Sequence, residues 1–329
     1  MNMRIARGAF ATLATAFATV LLWTAGTTAA QNYPAGPIRI IVPFPAGGGV
    51  DTAGRLFGQK LSEAIGKPVL IDNRAGANGM IGSEIVAKSA KDGYTLMVNG
   101  ANFVTSPILY AKSLYDPIRD FDPVSLLAHA PNILVVHPSL PVKTVRELIT
   151  FARARPGEIL FAGSGSGSTP HLAGELFKTL TSTKMVHVPY RGTGPAITAI
   201  LSGEVSTMFM PALTALPLIQ SGRVRALGVT SLERLPALPE LPTVSESGLK
   251  GYQSSQWYGV LAPSGTPPYI LNVLNGHAMK IMQSTDMKER MKMSGSVAVG
   301  STRETFAKHL QAEFAKWSKV IKTSGATVD

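Results

Sequence analysis

Three glycine-bearing loops hold the residues best suited to chemistry. The first is Pro43-Phe44-Pro45-Ala46-Gly47-Gly48-Gly49-Val50-Asp51. The second is Gly163-Ser164-Gly165-Ser166-Gly167-Ser168-Thr169, and the third is Tyr190-Arg191-Gly192-Thr193-Gly194-Pro195. Each follows a strand-like run and precedes a helix-like one. A helix start offers backbone N–H groups with no intrahelical partner at the positive end of the helix dipole. Glycines let that backbone approach a ligand closely. Such loops lie at the carboxyl ends of strands in open α/β sheets, where ligands bind. They suit phosphate, sulfate or carboxylate, and Ser164, Ser166, Ser168 and Thr169 add neutral hydroxyl donors.

Side-chain catalysis fits these loops poorly. A Walker loop needs Gly-Lys-Ser/Thr, and no lysine is present in them. Ser168 stands where a dinucleotide fingerprint needs its third glycine, and Gly165 stands where a nucleophile elbow needs serine. His171 follows Thr169 by two residues, so it either donates to a ligand or fastens the helix start. Asp51 and Thr169 also suit simple N-capping, and Arg55, one turn after Asp51, is placed to pair with it. Arg191 is either a bidentate partner for a second carboxylate or a solvated charge. Phe44, Tyr190 and Trp257-Tyr258 either wall a ligand body or pack a core. No metal-spaced His/Asp cluster appears, and no cysteine is present. Disulfides, thiolate metal sites, iron–sulfur clusters and cysteine nucleophiles are therefore excluded.

The elements that position the loops read as an α/β alternation. Strands are expected at 38–43, 69–71 and 94–98, with helices over 52–65 and 78–89 between them, which implies a parallel sheet with right-handed crossovers. The pattern restarts after 124–127. Strands follow at 132–136, 159–162, 185–189, 205–210 and 224–229. Helices open at Thr144-Val145-Arg146-Glu147, a capping box, at Thr169-Pro170 and at Gly194-Pro195. A final strand over 257–262 precedes helices, the last opened by a second box, Ser301-Thr302-Arg303-Glu304. Those helices are expected to pack back on the first sheet. Two α/β lobes result, 31–131 plus 254–329 and 132–253, joined by a hinge of two chain crossings with a ligand cleft between them.

Residues 1–30 read as an address. Arg4 and Arg7 precede an apolar run from Ala9 to Trp23, and Thr28-Ala29-Ala30 end it with small residues. This is the three-part pattern of a secretory signal peptide cleaved after Ala30; the rival is an uncleaved anchor, for which the apolar run is short. The whole chain has 31 Lys+Arg against 20 Asp+Glu, and losing Arg4 and Arg7 lowers the net charge from +11 to about +9. The charge is scattered without basic runs, so nucleic-acid binding is not expected. An exported protein meets no ATP supply, which disfavours kinase, ATPase and NAD-linked roles.

Ile40 to Asp51, with Ala53 and Arg55, resembles the signature near the mature N-terminus of the tripartite tricarboxylate transporter substrate-binding proteins, also called the Bug family. Val69 to Gly76, Asp92-Gly93-Tyr94, Gly163 to Leu172, Pro189 to Gly192 and Ala262 to Pro267 match further family blocks in order. The resemblance implies a periplasmic binding protein type II-like fold: two lobes closing on a small organic carboxylate (a di- or tricarboxylate, or an aromatic carboxylate). It implies ligand contacts from Phe44 to Asp51, Ser164 to Thr169 and Tyr190 to Gly194, partly through ordered water. It also implies membrane permease subunits as partners, no cofactor and a monomer in the periplasm. Ser206 departs from the aspartate usual in the family before its Met-Phe-type strand. Two other roles fit the same anion pocket: a ligand sensor for a membrane receptor, and an exported hydrolase, although no nucleophile–base pair is evident.

Overall fold

Ile38–Val42 forms β1, buried except at half-buried Arg39. A computed structural model describes residues 33–165, 167–190 and 192–325; the expected leader, 1–30, lies outside them. The chain divides after Gly36, and the unit from Pro37 onward carries every helix and strand among the described residues. β1 pairs in parallel with β2 (Val69–Asn73) on one side and β3 (Thr95–Gly100) on the other. Helices α1 (Gly49–Ile65) and α2 (Met80–Ala87) make the crossovers that parallel neighbours require. Gly66, at φ 65°, ends α1 with its N–H on the Ser62 carbonyl, the expected glycine stop.

The expected strand 132–136 is the end of a longer one that also takes in 124–127. β4 runs from Phe121 to Val136, 16 residues, through Pro123 and Pro131. Proline cannot donate to a ladder, and the register shifts between Pro123 and Ser125. Up to Pro131, β4 pairs antiparallel with β9 (Ser255–Pro263), which also pairs with β3. From Asn132 it pairs instead with β7 (Thr207–Pro211) and β8 (Arg225–Val229). β5 (Leu160–Gly163) lies parallel between β7 and β6 (Val186–Pro189). The short β10 (Val297–Ala298) adds to β4. The curled mixed sheet is thus two pairing groups sharing one long strand.

α3 (Asn102–Leu109) was hidden in the sequence by Pro107, a residue that reads as a breaker. Pro107 cannot donate to the Phe103 carbonyl, and the Tyr115 hydroxyl takes that acceptor at 2.8 Å. In the second group, α4 (Val145–Ala154), α5 (Thr169–Thr181) and α6 (Thr193–Ser202) occur where expected. α7 (Ala212–Gln220), like α3, contains a proline, Pro217, and was not expected.

The capping boxes differ. Thr144 Oγ1 accepts from Glu147 N at 3.1 Å, and Glu147 reaches back to Lys143 N at 2.6 Å. The box at 301–304 does not form: Thr302 is the cap, accepting from Thr305 N, while Ser301 Oγ accepts from Leu126 N at 3.0 Å. The C-terminal helices are α8 (Pro268–Gln283), α9 (Thr285–Met293) and α10 (Arg303–Ser324). α10 packs on α3, β4 and α5, so it covers both pairing groups and not the first sheet alone.

Candidate functional site

Asp51 organises the first loop from inside. The N-cap of α1 is Gly48, which has no side chain to offer, so Asp51 is not the cap. Asp51 is 2% exposed. Its carboxylate accepts from Gly47 N at 2.8 Å, Arg55 Nε at 2.9 Å and Asn73 Nδ2 at 2.9 Å. The same Asn73 nitrogen donates to the Phe44 carbonyl at 3.0 Å, tying the loop to the end of β2. Burial pushes the carboxyl up, yet the bonds from Arg55, Gly47 and Asn73 outweigh it and hold Asp51 below the usual carboxylate range. The Gly47 amide is therefore engaged within the protein, while the exposed start of α1 at Gly48 and Gly49 carries no side-chain cap. Phe44 packs on Gly79, where an added Cβ would stand 2.9 Å from its ring.

Histidine 171 does the equivalent work in the second loop. Its Nδ1 accepts from Gly167 N at 2.9 Å, which requires a neutral ring protonated on Nε2. Burial, helped by His187 and Lys178, pushes its pKa down to about 3. The ring stacks on His187 at 3.8 Å, and Gly163 makes room: a Cβ there would lie 2.1 Å from His187 Nε2. Ser168, not Thr169, is the N-cap of α5. Thr169 is free to donate to Gln256 Oε1 at 3.2 Å.

Between pH 6.5 and about 3 the unfolded chain takes up a proton at His171 that the folded chain refuses, so stability falls as pH falls through that window. His171→Asn should make the loss of urea stability between pH 7 and pH 4 smaller by about 2 kcal/mol. An unchanged loss would show that the ring is not held neutral.

The third loop opens α6 at Gly192, again an N-cap without a side chain, at φ 105°. Tyr190 turns away: its hydroxyl donates to Glu204 at 2.7 Å, and burial together with that carboxylate pushes its pKa up to about 12. Ser166 and Arg191, both expected at the site, lie outside the described residues.

A cleft of about 640 Å³ joins the three loops. Of the expected residues, Gly47, Ser164, Ser168 and Thr169 line it, beside Gly49, Gly165 and Thr193. Phe44, Pro45, Ala46, Gly48, Asp51, Gly167, His171, Tyr190 and Gly192 do not appear on its wall; Asp51 and His171 shape it from behind. Tyr258, weighed above as a ligand wall or a core residue, lines it too, and Asn78, Asn102, Asn132 and Gln256 line it without having been expected. Asn78 had a local signal, since it follows Gly76-Ala77 and adopts φ 52°, ψ 38°, a conformation asparagine tolerates better than most residues. Asn102 Nδ2 donates to Asn78 Oδ1 at 2.8 Å. Gln256 Oε1 accepts from Ala101 N at 3.3 Å as well as from Thr169, so one carboxamide joins the starts of α3 and α5. Tyr258 stands over the start of α1, where a Cβ on Gly49 would meet its hydroxyl at 2.3 Å. No charged side chain is among the described lining residues.

Strand alternation explains a second cavity. Gln256 and Tyr258 face the cleft, while Ser255 faces a space of about 410 Å³ with His129 and the 231–236 segment. None of the three loops reaches that space. Among the described residues no group of three or more His, Asp or Glu could hold a metal ion, and no helix is long and apolar enough to cross a membrane.

Such a cleft, uncharged and walled by helix starts, is an anion-binding arrangement of backbone dipoles. The family model described as "Tripartite tricarboxylate transporter family receptor" matches residues 54–326. BugT of Bordetella pertussis is 37% identical over 315 residues, 93% of this chain and 96% of BugT. The solved structure "R. palustris Rpa4515 with adipate" is 37% identical with a TM-score of 0.75, covering 91% of this chain and all of that one. MatC from Rhodopseudomonas palustris, solved with bound malate, is 31% identical with a TM-score of 0.71, covering 88% of this chain and all of MatC. The two-lobed fold is that of the periplasmic solute-binding proteins, and the chain belongs to the tripartite tricarboxylate transporter receptor family, which includes the Bug proteins.

Proposed function

We propose that this chain is an exported binding protein that captures a small organic carboxylate in the 640 Å³ cleft and delivers it to the membrane subunits of a tripartite tricarboxylate-type transporter. One observation carries the proposal. Two helix starts without side-chain caps, α1 and α6, meet the hydroxyl-bearing start of α5 around a cleft whose described lining carries no charge. An acid group there is held by main-chain dipoles and neutral hydroxyls. The adipate and malate held by the two solved relatives support the ligand class.

The halves that close are 31–131 plus 254–329 and 132–253. The change of β4 pairing between Pro131 and Asn132 supports the first crossing of the hinge. The second precedes β9. Residues 1–30 serve as the cleaved export signal, and the periplasm is the place of action. The chain acts without covalent chemistry: among the described lining residues no histidine, carboxylate or lysine stands as a base for a serine or threonine nucleophile.

A thermal-shift screen over aliphatic and aromatic mono-, di- and tricarboxylates tests this. Binding at 100 times Kd stabilises the native state by about 2.7 kcal/mol. A panel with no shift from any carboxylate, alongside turnover of an ester, would replace capture with hydrolysis.

Gly47 gives a sharper check. It sits at φ 87° with open space around its Cα, so Gly47→Val costs backbone strain of about 1–2 kcal/mol rather than a clash. The protein should remain folded by circular dichroism while affinity for the best carboxylate falls at least ~10-fold. Retained affinity would remove the first loop from the site.

A further inference from the structure

Four carboxamides line the cleft, and three are already engaged with protein groups. Asn102 donates to Asn78, and Gln256 accepts from Ala101 and Thr169. Asn132 differs. Its backbone is fixed: the N–H donates to Thr230 Oγ1 at 2.9 Å, and the carbonyl accepts from Thr230 N at 2.9 Å and from Thr230 Oγ1 at 3.0 Å. Its side-chain Nδ2, by contrast, has no hydrogen-bond partner, although the residue is only 2% exposed. Native structures seldom keep a buried donor unmade, because withdrawing it from water without a new acceptor is costly.

The position of Asn132 says what the donor serves. It lies on none of the three loops but on β4, at the residue where pairing passes from β9 to β7 and β8. Ala130, Pro131 and its register partner Pro211 line the cleft beside it, an apolar surround that supplies no competing acceptor side chain. The gripped acid group belongs to the helix starts, so Asn132 meets what the ligand carries beyond that group.

We propose that Asn132 is a specificity-determining residue whose Nδ2 donates to a second oxygen of the ligand: a hydroxyl, keto or distal carboxylate oxygen. The cleft then selects carboxylic acids oxygenated at a second position over plain monocarboxylates. This rests on the carboxylate binding proposed above. A carboxamide suits the task because it donates to a carboxylate and accepts from a hydroxyl without bringing a charge. A site built to bond a substrate oxygen rejects the analogue that lacks it.

Isothermal titration of the wild type, Asn132→Ala and Asn132→Asp with adipate against hexanoate, and malate against butyrate, is the test. The wild type should prefer the oxygenated member of at least one pair. Asn132→Ala should cut that preference about 10-fold while leaving affinity for the monocarboxylate within about threefold. Asn132→Asp, nearly isosteric, should disfavour the dicarboxylate most, and it decides the matter if the alanine variant does not fold. An unchanged preference in a folded variant, or equal binding of both members by the wild type, would overturn the role of Asn132 alone. Absence of binding by every acid to the wild type would overturn the carboxylate function beneath it.

Discussion

Replacing Asp51 by alanine should abolish ligand capture and weaken the fold together. The carboxylate accepts three hydrogen bonds while almost wholly buried. Its removal leaves the Gly47 amide and the Asn73 carboxamide short of a partner and leaves Arg55 with Asn73 Oδ1 alone. The fold should lose about 1–3 kcal/mol, the cost of leaving a buried amide without its acceptor, because exposed Arg55 is screened by water and adds little. The functional loss should be at least comparable. Gly47 and Gly49 both line the cleft, and without Asp51 nothing ties the Gly47 amide back to α1. Titration with the best carboxylate should show at least a ~100-fold rise in Kd. Asp51→Asn keeps an acceptor but loses the charge, so its loss should be intermediate. Acid should mimic the asparagine variant: the carboxyl is held below its unfolded range, so its contribution is present above about pH 4 and is lost as pH falls through the folded value. Wild-type affinity in Asp51→Ala would mean that the first loop holds its shape without this side chain.

A second large effect is expected at Gly295, far from the loops in sequence. Gly295 follows α9 and sits against the start of α7, and both segments line the cleft. Its φ is 68°, and a Cβ added there would fall 2.7 Å from the Leu213 backbone nitrogen and 2.9 Å from its Cα. Backbone cannot rotate aside as a side-chain tip can. Gly295→Val must therefore part the two segments or distort the turn. Because α9 belongs to one proposed lobe and α7 to the other, the wedge opposes closure. Carboxylate affinity should fall at least ~10-fold, and small-angle scattering should show a larger radius in the presence of ligand than the wild type has. Unchanged affinity would mean that closure does not bring these two segments together.

The three loops were legible because their information is local. Glycines cluster within a few residues at each of these strand-to-helix passages, joined in the second and third loops by hydroxyls. Which amides remain available was not legible. Gly47 and Gly167 read as ligand donors, but each is engaged by a side chain four residues on, Asp51 and His171. The far wall was hidden for a different reason. Asn78, Asn102, Asn132 and Gln256 come from four separate places in the chain, and each alone is an ordinary polar residue; only the topology assembles them. Pro107 and Pro217 concealed two helices because a proline's missing donor is a local fact, whereas the Tyr115 hydroxyl that takes the freed acceptor in α3 is a tertiary one. The same holds for Ser301, whose hydroxyl serves Leu126 across the fold and not the helix beside it.

Whether backbone amides grip the acid group is decided by a crystal structure of the mature protein with the carboxylate that gives the largest thermal shift. The acid group should lie at the meeting of the three loops, its oxygens held by main-chain N–H groups at the starts of α1 and α6 and by Ser168 or Thr169, directly or through one water. A carboxylate bound instead in the cavity beside His129 and Ser255, or paired with a lysine or arginine outside the cleft, would contradict it.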